Sequence, residues 1–199
     1  MPSANEQRVL EDLYNLRKIG TYKTGVHRPT LTEDDMRARK WLKDELSKIG
    51  HDARIDGVAN VIGFSPASGP KLICGSHLET QNHAGWLDGA LGVVYALEAA
   101  RCLQETGSEF GVDVIAFSDE EGHFGELTGS NSLIGNVTED MLDNAVDRTS
   151  GKKLRDALAD AGLADAPRVT LDPGRYFGMF EAHIEQGPSL ENDNKRIGI

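Results

Sequence analysis

Lys71–Gly92, KLICGSHLETQNHAGWLDGALG, is the stretch from which the fold is read. It opens as an apolar run, Leu72-Ile73-Cys74, which reads as a central β-strand over 71–75. It then releases His77, Glu79 and, eleven residues after the histidine, Asp88. Glycines at 85, 89 and 92 surround the aspartate, and a helical pattern follows at once. Imidazole and carboxylate groups on loops at the end of a buried strand are typical material for a metal site.

Downstream, Leu91, Val94, Leu97, Ala100 and Leu103 recur at helical spacing and predict a helix that ends near Gly107. Val112–Phe117 is a nearly unbroken apolar run, the pattern of a strand buried on both faces, and it ends in Ser118-Asp119-Glu120-Glu121. A Gly- and Ser-rich loop over 122–136 leads to helices over 138–147 and 151–161, with Thr138 and Ser150 as caps. Tyr176–Gln186, YFGMFEAHIEQ, reads as a strand ending in His183.

Upstream, Val9, Leu10, Leu13, Leu16 and Ile19 form a helical stripe over 4–19, followed by a loop broken by Gly25 and Pro29. Thr32 opens a capping box with Asp35. The helix it starts buries Met36, Ala38, Leu42, Leu46 and Ile49 and leaves Arg37, Lys40, Lys43 and Asp44 in water. Two short strands, 53–55 and 60–64, complete the series. Strands alternating with helices point to an α/β layered fold.

Composition narrows the function. The 199 residues are 27% charged and 39% apolar, the balance of a globular domain with a real core. A net charge of −11 argues against nucleic acid or an anionic membrane surface as the main partner. No apolar run approaches a membrane span, and the N-terminus lacks the apolar core of a signal peptide. Cys74 and Cys102 read as small core residues, so a reducing cytoplasm is expected.

Three strands thus deliver polar groups at their C-terminal ends: His77, Glu79 and Asp88; Glu120 and Glu121; His183, Glu185 and Gln186. Singly, each has a plainer reading, with His77 a satisfied histidine, Asp88 a turn residue and the glutamate pair a solvated surface. Together, two after apolar runs, they favour a metal site. Such a set can hold two borderline divalent ions with one carboxylate bridging, so that a water is activated while a carbonyl is polarised. Adjacent glutamates can divide the work, one on metal and one free to take a proton. Glu79 is placed to reach the far nitrogen of His77 as an orienting partner.

GSHLETQNHAGWLDGALGV, SDEEG and EAHIEQGPSLE also resemble the metal-dependent amidohydrolases of the carbamoylase type. These are the N-carbamoyl-L-amino-acid hydrolases, β-ureidopropionases and allantoate amidohydrolases within the dinuclear metallo-aminoacylase and peptidase family M20. The resemblance runs the length of the chain, and the HIEQGP block separates this group from the peptidases. It implies a three-layer α/β/α catalytic domain over 1–199 with a mostly parallel mixed sheet. It implies His77 and His183 on one ion, Asp88 bridging, Glu121 on the second ion, Glu120 as general base and Gln186 near the ureido or amide group. The ions would be zinc or, in some members, manganese, nickel or cobalt. The substrate would be a small N-carbamoyl or ureido acid or related amide, and the parent enzyme a homodimer.

The chain departs from that pattern in three ways. Glu79 stands where the family usually has Asp. The arginine usual shortly after EEG is missing, and His83 and His123 are unusual at their places, both read as surface or loop histidines. Family members also continue into a lid and dimerisation domain and return with a further metal-binding histidine, so this chain is expected to be truncated before the lid, as the N-terminal half. The alternatives are a deacylase or peptidase of the same family, and a non-catalytic remnant that binds metal or a partner chain.

Overall fold

The computed structural model describes residues 3–199. Helix α1 is Glu6–Arg17, shorter at both ends than the predicted 4–19, because the Asn5 side chain accepts from the Arg8 N–H and fixes the start. A small hairpin, β1 (Thr21–Tyr22) and β2 (Gly25–Val26), occupies the predicted loop. Helix α2 (Glu33–Lys48) is capped by Thr32, as predicted, but the reciprocal bond is shifted: the Asp35 carboxylate accepts from the Leu31 N–H rather than from Thr32.

β3 (Asp52–Ile55), β4 (Val61–Phe64), β5 (Lys71–His77) and β6 (Gly111–Phe117) follow, with helix α3 (Ala90–Glu105) between β5 and β6. The chain then forms α4 (Thr128–Leu133), α5 (Glu139–Asn144), α6 (Leu154–Asp160), β7 (Tyr176–Phe180) and a final turn of helix, α7 (Ser189–Asn192). Helix α4 lies inside the segment predicted as loop. The Ser150 cap does not form: α6 starts after Lys153, and the Ser150 hydroxyl donates to Asp147 at 2.7 Å. The last strand stops at Phe180, so His183 and Gln186 sit on irregular chain beyond it.

The main sheet has the order β3-β4-β6-β5-β7. β6, β5 and β7 are parallel neighbours, while β4 is antiparallel to both β3 and β6. Four strands therefore run one way and β4 the other, which is the mostly parallel mixed sheet expected. All seven residues of β6 are buried, as a strand covered on both faces must be. Its side chains alternate. Val112, Val114 and Ala116 join Leu13, Leu16, Leu42, Leu46 and Leu97 under α1–α3, whereas Ile115 and Phe117 pack with Ile62, Ile73 and Leu133 on the opposite face. On that second face Leu133 of α4 and the segment carrying Val169 and Leu171 pack over the strands. Asp113, fully buried in β6, is satisfied by the Ser65 N–H and the Tyr176 hydroxyl, each at 2.7 Å. Both cysteines are free, with Cys102 buried. Among the described residues no helix is long and apolar enough to cross a membrane.

Candidate metal centre

Register brings the polar groups together. His77 closes β5 opposite Phe117 of β6, and Cys74 lies opposite Phe180 of β7. Because these strands are parallel, Glu120 and His183 each emerge three residues beyond a partner near His77, on one edge of the sheet. Asp88 reaches the same edge from the loop before α3. Gly89 allows that approach: it has φ +66°, and a Cβ there would stand 2.5 Å from the His77 ring.

The result is a cleft of about 560 Å³ lined by His77, Asp88, Glu120, Glu121, His183 and Gln186 among others. His77 Nε2 is 3.8 Å from Asp88 Oδ1 and 3.4 Å from Glu120 Oε2, and His183 Nε2 is 3.2 Å from the same Asp88 oxygen. Among the described residues, two sets have ligand atoms close enough to converge on an ion: His77, Asp88 and His183, and His77, Glu120 and Glu121. Both are in this cleft. A larger cavity of about 840 Å³ beside α2 and α6 contains no such set.

Both imidazoles are oriented in the same way. The Nδ1 of His77 donates to the Glu79 carbonyl and that of His183 to the Ile184 carbonyl, each at 2.9 Å, which leaves Nε2 as a lone-pair donor facing the cleft. In the cleft, two buried carboxylate oxygens, Asp88 Oδ1 and Glu121 Oε1, have no hydrogen-bond partner in the protein. Leaving such oxygens buried and unpaired is costly, and a divalent ion would satisfy them. The nitrogen and oxygen donor set fits zinc or a similar borderline ion.

Electrostatics follow from the crowding. Burial pushes the Glu120 carboxyl above the ordinary glutamate range; His77 pulls it down, and Glu121 and Glu79 push it up again. Burial would lower the His77 pKa, but the carboxylates of Glu79 and Glu120 outweigh it and the net direction is upward.

Glu79 corrects the reading from sequence. It contacts His77 through its main-chain carbonyl, not its carboxylate. The carboxylate is fully buried, paired with Arg39 at 2.6 Å on one oxygen and accepting the Glu120 N–H on the other. Gln186 lies in the cleft but donates Nε2 to Asp88 Oδ2 at 2.6 Å. His83 stacks on Tyr22 and His27 and does not line the cleft. His123 is not a surface residue: it is 1% exposed and bonds the Thr80 carbonyl at 3.0 Å.

Sequence reasoning missed three supports. Gln81 donates Nε2 to the Glu121 carboxylate at 2.6 Å and to its carbonyl at 3.0 Å, and Arg148 braces Gln81 from the cleft wall. Asp119, buried and at φ +57°, accepts from the Phe124 and Gly125 N–H groups and from Thr128 Oγ1, tying down the loop behind the glutamates. Arg39 is the third. Its signal was present in the sequence, because position 39 falls on the apolar side of α2 beside Ala38 and Leu42.

An α/β sheet whose parallel strand ends gather imidazoles and unpaired carboxylates is an arrangement that can hold metal ions. The chain belongs to peptidase family M20/M25/M40, whose pattern matches residues 76–199. It is 31% identical over 208 residues to an N-carbamoyl-L-amino-acid amidohydrolase of Paenarthrobacter aurescens, covering 100% of this chain and 50% of that protein. It is 32% identical to allantoate deiminase 2 of Glycine max, covering 100% of this chain and 43% of that one. The crystal structure of a hydantoinase/carbamoylase family amidase from Burkholderia phymatum superimposes with a TM-score of 0.94 at 47% identity, over 98% of this chain and 48% of the other. The chain thus spans about half the length of the curated relatives it matches.

Proposed function

We propose that residues 1–199 form the N-terminal part of the catalytic domain of a dinuclear amidohydrolase. It hydrolyses a non-peptide C–N bond in a small N-carbamoyl or ureido acid. The observation that carries this reading is the convergence of His77, Asp88, His183, Glu120 and Glu121 in one cleft, with Asp88 Oδ1 and Glu121 Oε1 unpartnered. The similarity to relatives named for carbamoyl, allantoate and ureidoglycolate substrates supports the substrate class. Cytoplasmic residence is consistent with the two free cysteines.

His77 and His183 would hold one ion through Nε2, Asp88 would bridge, and Glu121 would hold the second. When bound, the ions supply Lewis-acid polarisation of the scissile carbonyl and a lowered pKa for water. Glu120 acts as general base. It takes a proton from the attacking water and returns it to the nitrogen as the C–N bond breaks, so the carboxylate is regenerated each turn. Gln81 and Asp119 keep the two glutamates in place, and Gln186 offers an amide to the ureido group once it leaves Asp88.

A second reading, a folded chain that binds metal or a partner chain without turnover, is favoured by the edge strand β7, where Phe177 and Phe180 are 74% and 70% exposed. A deacylase or peptidase is the remaining alternative within the family. Turnover decides. The purified chain loaded with zinc or manganese is assayed on an N-carbamoyl amino acid, allantoate, ureidoglycolate, an N-acyl amino acid and a dipeptide. Ureido hydrolysis lost in Glu120→Gln supports the proposal. Hydrolysis of the acyl or peptide substrate alone contradicts it, and metal binding with no turnover of any substrate favours the second reading for this chain.

A further inference from the structure

Arg39 is 0% exposed and donates in four directions. Nε bonds Asp35 at 2.9 Å, within α2. Nη1 reaches the carbonyls of Ala59 at 2.8 Å and Phe117 at 3.1 Å, with Ala116 at 3.5 Å. Nη2 bonds Glu79 at 2.6 Å. One guanidinium thereby joins α2, the turn before β4, the C-terminal end of β6 and the segment after β5.

Two of those attachments lead to the metal centre. Glu79 holds His77 through its carbonyl and Glu120 through its carboxylate, so the position of Glu79 sets both. Phe117 is three residues before Glu120 on the strand that delivers it. A buried ion pair is weak evidence for stability, since desolvation offsets the attraction. A planar fork that fixes several elements in one geometry is better matched to placing ligands, which need to sit within about 0.5 Å of their working positions.

We infer that Arg39 is a positioning residue of the metal centre, acting through Glu79 to set His77 and Glu120 together. The inference rests on the metal-centre reading above and adds to it a residue outside the cleft. A lysine at 39 keeps the charge but cannot serve Asp35, Glu79 and the strand carbonyls at once.

The test is a Co²⁺ titration of the chain, following the metal's visible absorption, for the parent, Arg39→Lys, Glu79→Gln and the double variant, with urea unfolding measured alongside. Loss of an outer partner of a metal ligand costs about 10- to 100-fold in affinity. Arg39→Lys and Glu79→Gln should each weaken Co²⁺ binding by about tenfold or more and shift its spectrum, and the double variant should be within about threefold of Glu79→Gln. Affinity and spectrum unchanged in Arg39→Lys, or a full further loss in the double variant, would overturn the inference. If Arg39→Lys does not fold, Glu79→Gln decides alone: a tenfold loss supports the inference and an unchanged affinity overturns it. A parent chain that binds no Co²⁺ refutes the metal centre itself, and the inference with it.

Discussion

Gln186 donates its amide nitrogen to Asp88 Oδ2 at 2.6 Å, while Asp88 Oδ1 faces the two histidines with no hydrogen-bond partner. The residue assigned to substrate therefore holds one oxygen of the proposed bridge. Asp88 would be free to offer Oδ2 to a metal only once Gln186 releases it. Gln186→Ala should leave metal affinity unchanged or tighter and raise KM for a ureido substrate by about tenfold, the worth of one hydrogen bond of about 1–1.5 kcal/mol. Calorimetric metal titration and steady-state kinetics check this, and a weakened metal site would count against the assignment.

Ligand assignment separates the histidines. His77→Ala and Asp88→Ala should each empty the site at metal concentrations that fill the parent chain. His83→Ala should not, since His83 is occupied by stacking at 4.0 Å on Tyr22 and 4.5 Å on His27. Metal content after dialysis, compared across the three variants, makes the distinction. Equal content would remove the basis of the site.

Acid stability should depend on Glu98. Burial pushes its carboxyl up, but hydrogen bonds from Arg8 and the Asn5 N–H outweigh burial and hold it below the ordinary glutamate range. A carboxyl depressed in the folded state contributes stability above its unfolded pKa of about 4.3, and that contribution is lost as pH falls through the folded value. Glu98→Gln should therefore lose about 1–3 kcal/mol at pH 7. The gap from the parent should narrow between pH 7 and a pH below the unfolded glutamate value. Urea unfolding at the two pH values measures it.

Core and edge should respond differently to truncation. Ile115 is 0% exposed in the central strand, so Ile115→Ala should cost about 2–5 kcal/mol. Phe177→Ser, on the exposed face of β7, should cost well under about 1 kcal/mol. Denaturant midpoints of the two variants give the comparison.

The sequence exposed the parts of the fold that rest on one-dimensional pattern. β5, β6 and α3 carry unmixed apolar runs or helical spacing, and the ends of β5 and β6 already carried the charges that apolar burial does not explain. The hairpin at β1–β2 and helix α4 were hidden because they are short and polar, and are fixed by tertiary contacts such as the bridge from Val26 to Ala84. In the site, side-chain types were legible but their directions were not. Glu79 looked like a partner for His77, and only the three-dimensional placement of Arg39, forty residues earlier, shows where its carboxylate goes. Gln81 and Asp119 were unreadable for the same reason: their roles are hydrogen bonds across a loop, with no periodic signature.

One cleft of this chain is proposed to bind divalent metal through His77, Asp88, Glu121 and His183. Zinc content per chain, measured by elemental analysis after equilibrium dialysis, tests it most directly. At least one ion per chain is expected, held by His77, Asp88 and His183 and retained in Glu120→Gln. A chain that retains no ion would contradict the site.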